Sequence, residues 1–136
     1  MKIGFIGLGN VGGKLSGSLI RNGHDVSVHD LNAEFVAAKV SDGARDGQDP
    51  ALLMQDCDAV ITCLPSPAAS AAVMEQMLPH VGPGKIWMEM STTDEAEVKR
   101  IGAQVIAAGG AAVDCPVSGG CHRADTGNIS IFAGCD

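Results

Sequence analysis

Tyrosine is absent, tryptophan occurs once and phenylalanine three times, so aromatics make up only 3% of the sequence. The core must be built from Ala, Val, Ile, Leu and Met, which a hydrophobic content of 46% supplies. Basic residues are also few. Nine Lys and Arg face sixteen Asp and Glu, for a formal net charge of −7. The nine are dispersed, whereas phosphate backbones demand clustered cations, which argues against nucleic acid as a partner. No apolar run approaches the roughly 20 residues that span a bilayer, which argues against a membrane partner. Glycines interrupt the apolar start, so a signal-peptide layout is missing. The expected location is cytoplasmic, or an organelle matrix if a targeting segment has been removed. The five cysteines, at 57, 63, 115, 121 and 135, include no C-x-x-C pair. They are expected to be reduced thiols filling small apolar spaces, with no metal site. The four histidines are isolated and lack metal-ligand spacing.

What is abundant is glycine, with 18 residues scattered without a collagen period. Residues 2–6, KIGFI, form a short apolar run that predicts a buried strand, followed by a glycine turn. Val11, Leu15 and Leu19 then recur at helical spacing up to Gly23. DVSVHD (25–30) alternates as a strand should, and residues 33–40 read as a helix. A Gly-, Asp- and Pro-rich loop is expected over 42–50, then a brief helix around 52–54. AVITCL (59–64) is the continuous apolar run of a strand buried on both faces. A helix over 68–78, a strand at KIWMEM, a helix over 94–107 and strands at AAVDC and ISIFA complete the series. Thr92 and Glu95 fit a capping box for the helix over 94–107. Alternating strands and helices predict one α/β domain over residues 1–136, a Rossmann-type doubly wound fold with a mainly parallel sheet.

The turn GLGNVG, Gly7 to Gly12, fits G-x-G-x-x-G directly after a strand and at the start of a helix. In that setting Gly7 permits the tight turn, Gly9 lets a pyrophosphate approach, and Gly12 lets helix and strand pack closely. The helix start offers free N–H groups to the phosphates. A P-loop lysine is missing, which argues against an ATPase. Asp30 ends the second strand, where a carboxylate accepts hydrogen bonds from an adenosine ribose and repels a 2′-phosphate. Residues 31–36 hold no Arg. NAD is therefore the expected cofactor, and NADP less so. Asn32, rather than Asp30, is the expected cap of the following helix.

Four segments in register resemble the β-hydroxyacid dehydrogenase family, including 3-hydroxyisobutyrate dehydrogenase and tartronate semialdehyde reductase. They are GFIGLGNVGG with NGHDVSVHD, the CLP of 63–65, EMSTTDEAEV, and DCPVSGGCHRADTGNISIFAG. The resemblance implies that Ser118, Gly119 and Gly120 bind a substrate carboxylate. It implies cofactor contacts from Gly7, Leu8, Gly9, Asn10, Val11, Gly12, Asp30, Leu31, Leu64, Pro65, Ala69 and Thr92. The implied substrate is a small hydroxy acid that exchanges a hydride with NAD. The family's catalytic lysine sits on a later helix, before a helical domain that closes the site and forms the oligomer. The last lysine here is Lys99. The resemblance thus implies a chain that stops before that half, whose parent is a homo-oligomer, with no catalytic residue in 1–136. Cys115, Val11, Cys63 and Thr93 depart from the family pattern.

Overall fold

A computed structural model describes residues 1–135. Six strands form one sheet: β1 (Lys2–Ile6), β2 (Asp25–His29), β3 (Arg45–Asp46), β4 (Ala59–Thr62), β5 (Ile86–Glu89) and β6 (Ala111–Asp114). Their order is β3-β2-β1-β4-β5-β6, and every pairing is parallel. Parallel neighbours need crossovers, and the chain supplies helices: α1 (Asn10–Arg21), α2 (Ala33–Ser41), α3 (Pro50–Asp56), α4 (Pro67–Met77) and α5 (Glu95–Ala107). The chain first builds outward from β1 through β2 to β3, then returns and builds the other way from β4. The reversal opens a crevice beyond the carboxyl ends of β1 and β4, where ligands of such sheets bind.

The period of two along each strand divides the core between the two faces. Phe5, Val28 and Ile61 face one layer with Leu15 of α1 and Val36 of α2. Ile6, Val60 and Trp87 face the other, with Met74 of α4 and Ile101 and Val105 of α5. Trp87 is fully buried, and its indole N–H donates to Thr62 Oγ1 at 3.0 Å. Methionines 54, 74 and 77 fill volume that aromatics would otherwise occupy.

Three expectations need correction. The loop over 42–50 contains β3, a two-residue strand held only by pairing with β2, and Pro50 already belongs to α3. The capping box at Thr92 and Glu95 does not form. Asp94 caps α5 instead, its carboxylate accepting from the Glu97 N–H at 3.1 Å. Asp94 directly precedes the first helical residue, where a short acceptor reaches the free N–H groups. The ISIFA segment does not extend the main sheet. Ser130–Ile131 forms β8, antiparallel to β7 (Val117–Ser118), with helix α6 (Gly120–Thr126) between them. His122 lies within α6. Asn32 caps α2 as expected, accepting from the Glu34 N–H.

Candidate functional site

A cleft of about 810 Å³ occupies the crevice. One wall is the β1–α1 turn, with Gly7, Gly9, Asn10, Val11 and Gly12. Asp30 and Leu31 close one end, and Leu31 is 98% exposed. Leu64 and Pro65 come from the β4–α4 connection, Ala69 from the first turn of α4, and Thr92 from the segment after β5. Val117, Gly120 and Ile129 approach from the β7–α6–β8 unit. Most of the residues expected from sequence thus converge on one volume.

Three do not line it. Leu8 turns its side chain into the core, at 4% exposure, while its N–H donates to Asp30 Oδ2 at 2.7 Å. Ser118 and Gly119 stand beside lining residues rather than among them. Ser118 is held opposite Ser130 by the β7–β8 pairing. Gly119 precedes α6 at φ 130° and Gly120 starts it at φ 73°, a conformation that side chains disfavour.

The three motif glycines differ in what requires them. Gly7 has φ 96°, and a Cβ there would lie 2.1 Å from the Cys63 carbonyl oxygen. A Cβ on Gly12 would lie 2.0 Å from the Gly7 carbonyl oxygen. Both positions are closed by backbone, so the fold alone demands glycine. Gly9 has φ −66°, open to any residue, and a Cβ there would meet nothing within 4 Å. The protein does not need glycine at 9, but a ligand approaching the backbone would. The first N–H groups of α1 face this open space without a side-chain cap, which suits a pyrophosphate. The residues therefore fit a dinucleotide.

Asp30 is already engaged. Oδ2 takes the Leu8 N–H and Oδ1 takes the Asn32 N–H at 2.8 Å. Its carboxylate ties the glycine turn to the end of β2 while still bordering the cleft. An ionised carboxylate has about four lone-pair sites, so acceptor capacity remains for hydroxyls.

Under the β4–α4 connection lies a polar arrangement that sequence reasoning missed. The Leu64 N–H donates to Ser91 Oγ at 2.6 Å, and the Ser91 hydroxyl donates to Glu89 Oε1. Glu89 is fully buried and Ser91 nearly so. Only the run of hydroxyls in STT, beside a strand-end acid, hinted at it. Desolvation, with the charge of Glu89 adding, pushes the neighbouring Cys63 thiol up to about 11, so it stays protonated at neutral pH. All five cysteines are free, and no metal-binding cluster occurs among the described residues. Among the described residues, no helix is long and apolar enough to cross a membrane.

Comparisons with known proteins agree with this geometry. The human cytokine-like nuclear factor N-PAC is 33% identical over 138 residues, covering 99% of this chain and 25% of that protein. A probable mitochondrial 3-hydroxyisobutyrate dehydrogenase of Dictyostelium discoideum is 31% identical, covering 97% of this chain and 42% of that protein. The solved 3-hydroxyisobutyrate dehydrogenase of Mycobacterium tuberculosis, with L-serine, superposes with a TM-score of 0.92 at 26% identity. That match covers 99% of this chain and 46% of the other. Psf3 in complex with NADP+ and 2-OPP superposes at 0.88 and 26% identity, covering 96% of this chain and 48% of Psf3. The chain thus spans a quarter to about half of these relatives. Residues 2–136 match the family described as the NAD binding domain of 6-phosphogluconate dehydrogenase, and the chain belongs to that family.

Proposed function

We propose that this chain is the cofactor-binding and substrate-loop part of an NAD-dependent dehydrogenase acting on a small 3-hydroxy acid. The observation that carries the cofactor reading is Gly9. It is a glycine that neither backbone angle nor packing requires, at the mouth of the cleft. Bound there, a nicotinamide dinucleotide would supply the hydride acceptor or donor. Gly9, Asn10 and Val11 would offer N–H groups to its pyrophosphate. Asp30 would accept from the adenosine ribose hydroxyls, and Leu31 would cover the adenine. Leu64, Pro65, Ala69 and Thr92 would shape the nicotinamide end and keep water from it. Ser118, Gly119 and Gly120 would receive the substrate carboxylate through a hydroxyl and backbone N–H groups, the donor set a small anion needs.

A preference for NAD over NADP follows from Asp30, whose charge opposes a 2′-phosphate, and from the lack of Arg in 31–36. Its expected size is roughly 2–4 kcal/mol, the scale for an uncompensated charge. Calorimetry with both cofactors tests it, and equal affinities would overturn the assignment.

Oxidation of the alcohol also needs a general base, which typically contributes about 10²–10⁴-fold. Lys99 does not fill that role, because it pairs with Glu95 on the exposed face of α5. The proposal therefore places the catalytic lysine outside residues 1–136. The chain alone should bind NAD and show no turnover. NADH formation with 3-hydroxyisobutyrate, glycerate and related acids provides the check. Turnover that vanishes in His122→Ala would show an acid/base within α6 and overturn this placement.

The likeness to a protein named as a nuclear factor supports a second reading, a non-catalytic dinucleotide-binding module. The two separate on whether the full protein that carries this chain oxidises any of these acids.

A further inference from the structure

Buried polar atoms are normally paired, so each one left unpaired calls for an explanation. Among the described residues, three buried side-chain atoms lack a partner: Ser70 Oγ, Glu89 Oε2 and Thr93 Oγ1. Each adjoins in sequence a residue lining the cleft, namely Ala69, Met90 and Thr92. All three residues therefore flank the two segments that border the end of the cleft opposite Asp30.

Glu89 is the most demanding of them. Its side chain is fully buried, and among the described residues no cation pairs with it. Oε1 takes both the N–H and the hydroxyl of Ser91. That hydroxyl has one hydrogen, and donating it to Glu89 turns a lone pair of Oγ toward the Leu64 N–H, which it accepts at 2.6 Å. The direction of the serine hydroxyl, and with it the position of the Leu64 backbone, is set by the carboxylate. Cys63, just before Leu64, takes its N–H bond from β1, donating to the Ile6 carbonyl at 2.9 Å. The Cys63–Pro65 corner is thus pinned on one side by the sheet and on the other by Ser91.

Burying a carboxylate without a cation is costly, and an apolar residue at 89 would serve the core better. The carboxylate instead lies beside the cleft, where it orients the hydroxyl that fixes one wall. We propose that Glu89 is a positioning residue: acting through Ser91, it fixes the Leu64–Pro65 wall against the nicotinamide half of the cofactor. The inference rests on the dinucleotide reading above.

The experiment compares NADH with ADP-ribose, which lacks the nicotinamide, by titration calorimetry on the unmodified protein, Ser91→Ala and Glu89→Leu. Ser91→Ala leaves the Leu64 N–H unpaired, and Glu89→Leu releases the serine hydroxyl while filling the same space. Each should weaken NADH by about 5–10-fold, the value of one lost positioning bond, with ADP-ribose within about 2-fold of unmodified protein. A general structural role would weaken both ligands alike, and that result overturns the proposal. So does an unchanged NADH affinity in both variants. If one variant fails to fold, the other decides. If the unmodified protein binds neither ligand, the dinucleotide reading itself falls. If it binds both and their ratio does not move, only the role of Glu89 falls.

Discussion

Two glycine-rich corners border the cleft, and they are built in opposite ways. The first, Gly7–Gly12, is packed into the sheet. Gly7 and Gly12 touch backbone, Leu8 is buried beneath, and Asp30 holds the turn from β2. The second, Gly119–Gly127 around α6, stands outside the main sheet on a two-stranded ribbon. Its β8 side leaves Ile131 at 49% and Phe132 at 62% exposure. Its ties to the body include the ion pair from Arg21 of α1 to Asp125, and the packing of Ala124, which is fully buried in the core cluster shared with α1. A rigid corner suits a ligand part that is always the same, a pyrophosphate. A corner outside the sheet, held by the packing of α6 on α1, suits a part of the site that is completed by other contacts.

Breaking the rigid corner should produce the largest effect. Gly12→Val drives a side chain into the Gly7 carbonyl, where only backbone can move. It should cost about 3 kcal/mol or more, seen as a large fall in Tm. Gly9→Val should separate binding from folding. Nothing in the protein meets the new side chain, so stability should stay within about 0.5 kcal/mol of the parent. Dinucleotide affinity should fall about 100-fold or more, equivalent to roughly 2.7 kcal/mol. A Gly9→Val protein that binds normally would make the motif purely structural.

Asp30→Ala sharpens the contrast by cutting the tie between the turn and β2. The buried Leu8 N–H loses its partner, which should cost roughly 1–2 kcal/mol by chemical denaturation. NAD should weaken more than NADP, narrowing the gap between them. The mildest change belongs to the corner outside the sheet. Arg21→Ala removes an exposed ion pair and should cost under about 1 kcal/mol. Hydrogen exchange should nevertheless quicken over 120–126 while the amides of α1 stay protected. Equal quickening in both helices would mean that α6 is not a separately tethered unit.

The parallel sheet was legible because β1, β2, β4 and β5 carry runs whose hydrophobicity reports burial directly. β3 was not, since Arg45 and Asp46 are polar and form a strand only because β2 offers an edge. The cap of α5 was misplaced because Thr92 and Asp94 both have the right chemistry, and only the helix start decides between them. The glycine wall of the cleft and its Asp30 end were legible as a glycine pattern and an acid at the end of a strand, whereas the Glu89–Ser91 support of the opposite end was not.

Sequence by itself determined the strand–turn–helix signature, the alternation of the central strands and helices and most of the residues that line the cleft, because periodicity and glycine spacing are local properties. Tertiary structure alone decided that Gly9 is free while Gly7 and Gly12 are wedged, that Asp30 spends hydrogen bonds on the turn, and that Glu89 reaches Leu64 through Ser91. Each of these depends on which distant backbone or side-chain atom lies within about 3 Å, the range over which hydrogen bonds and steric contact act.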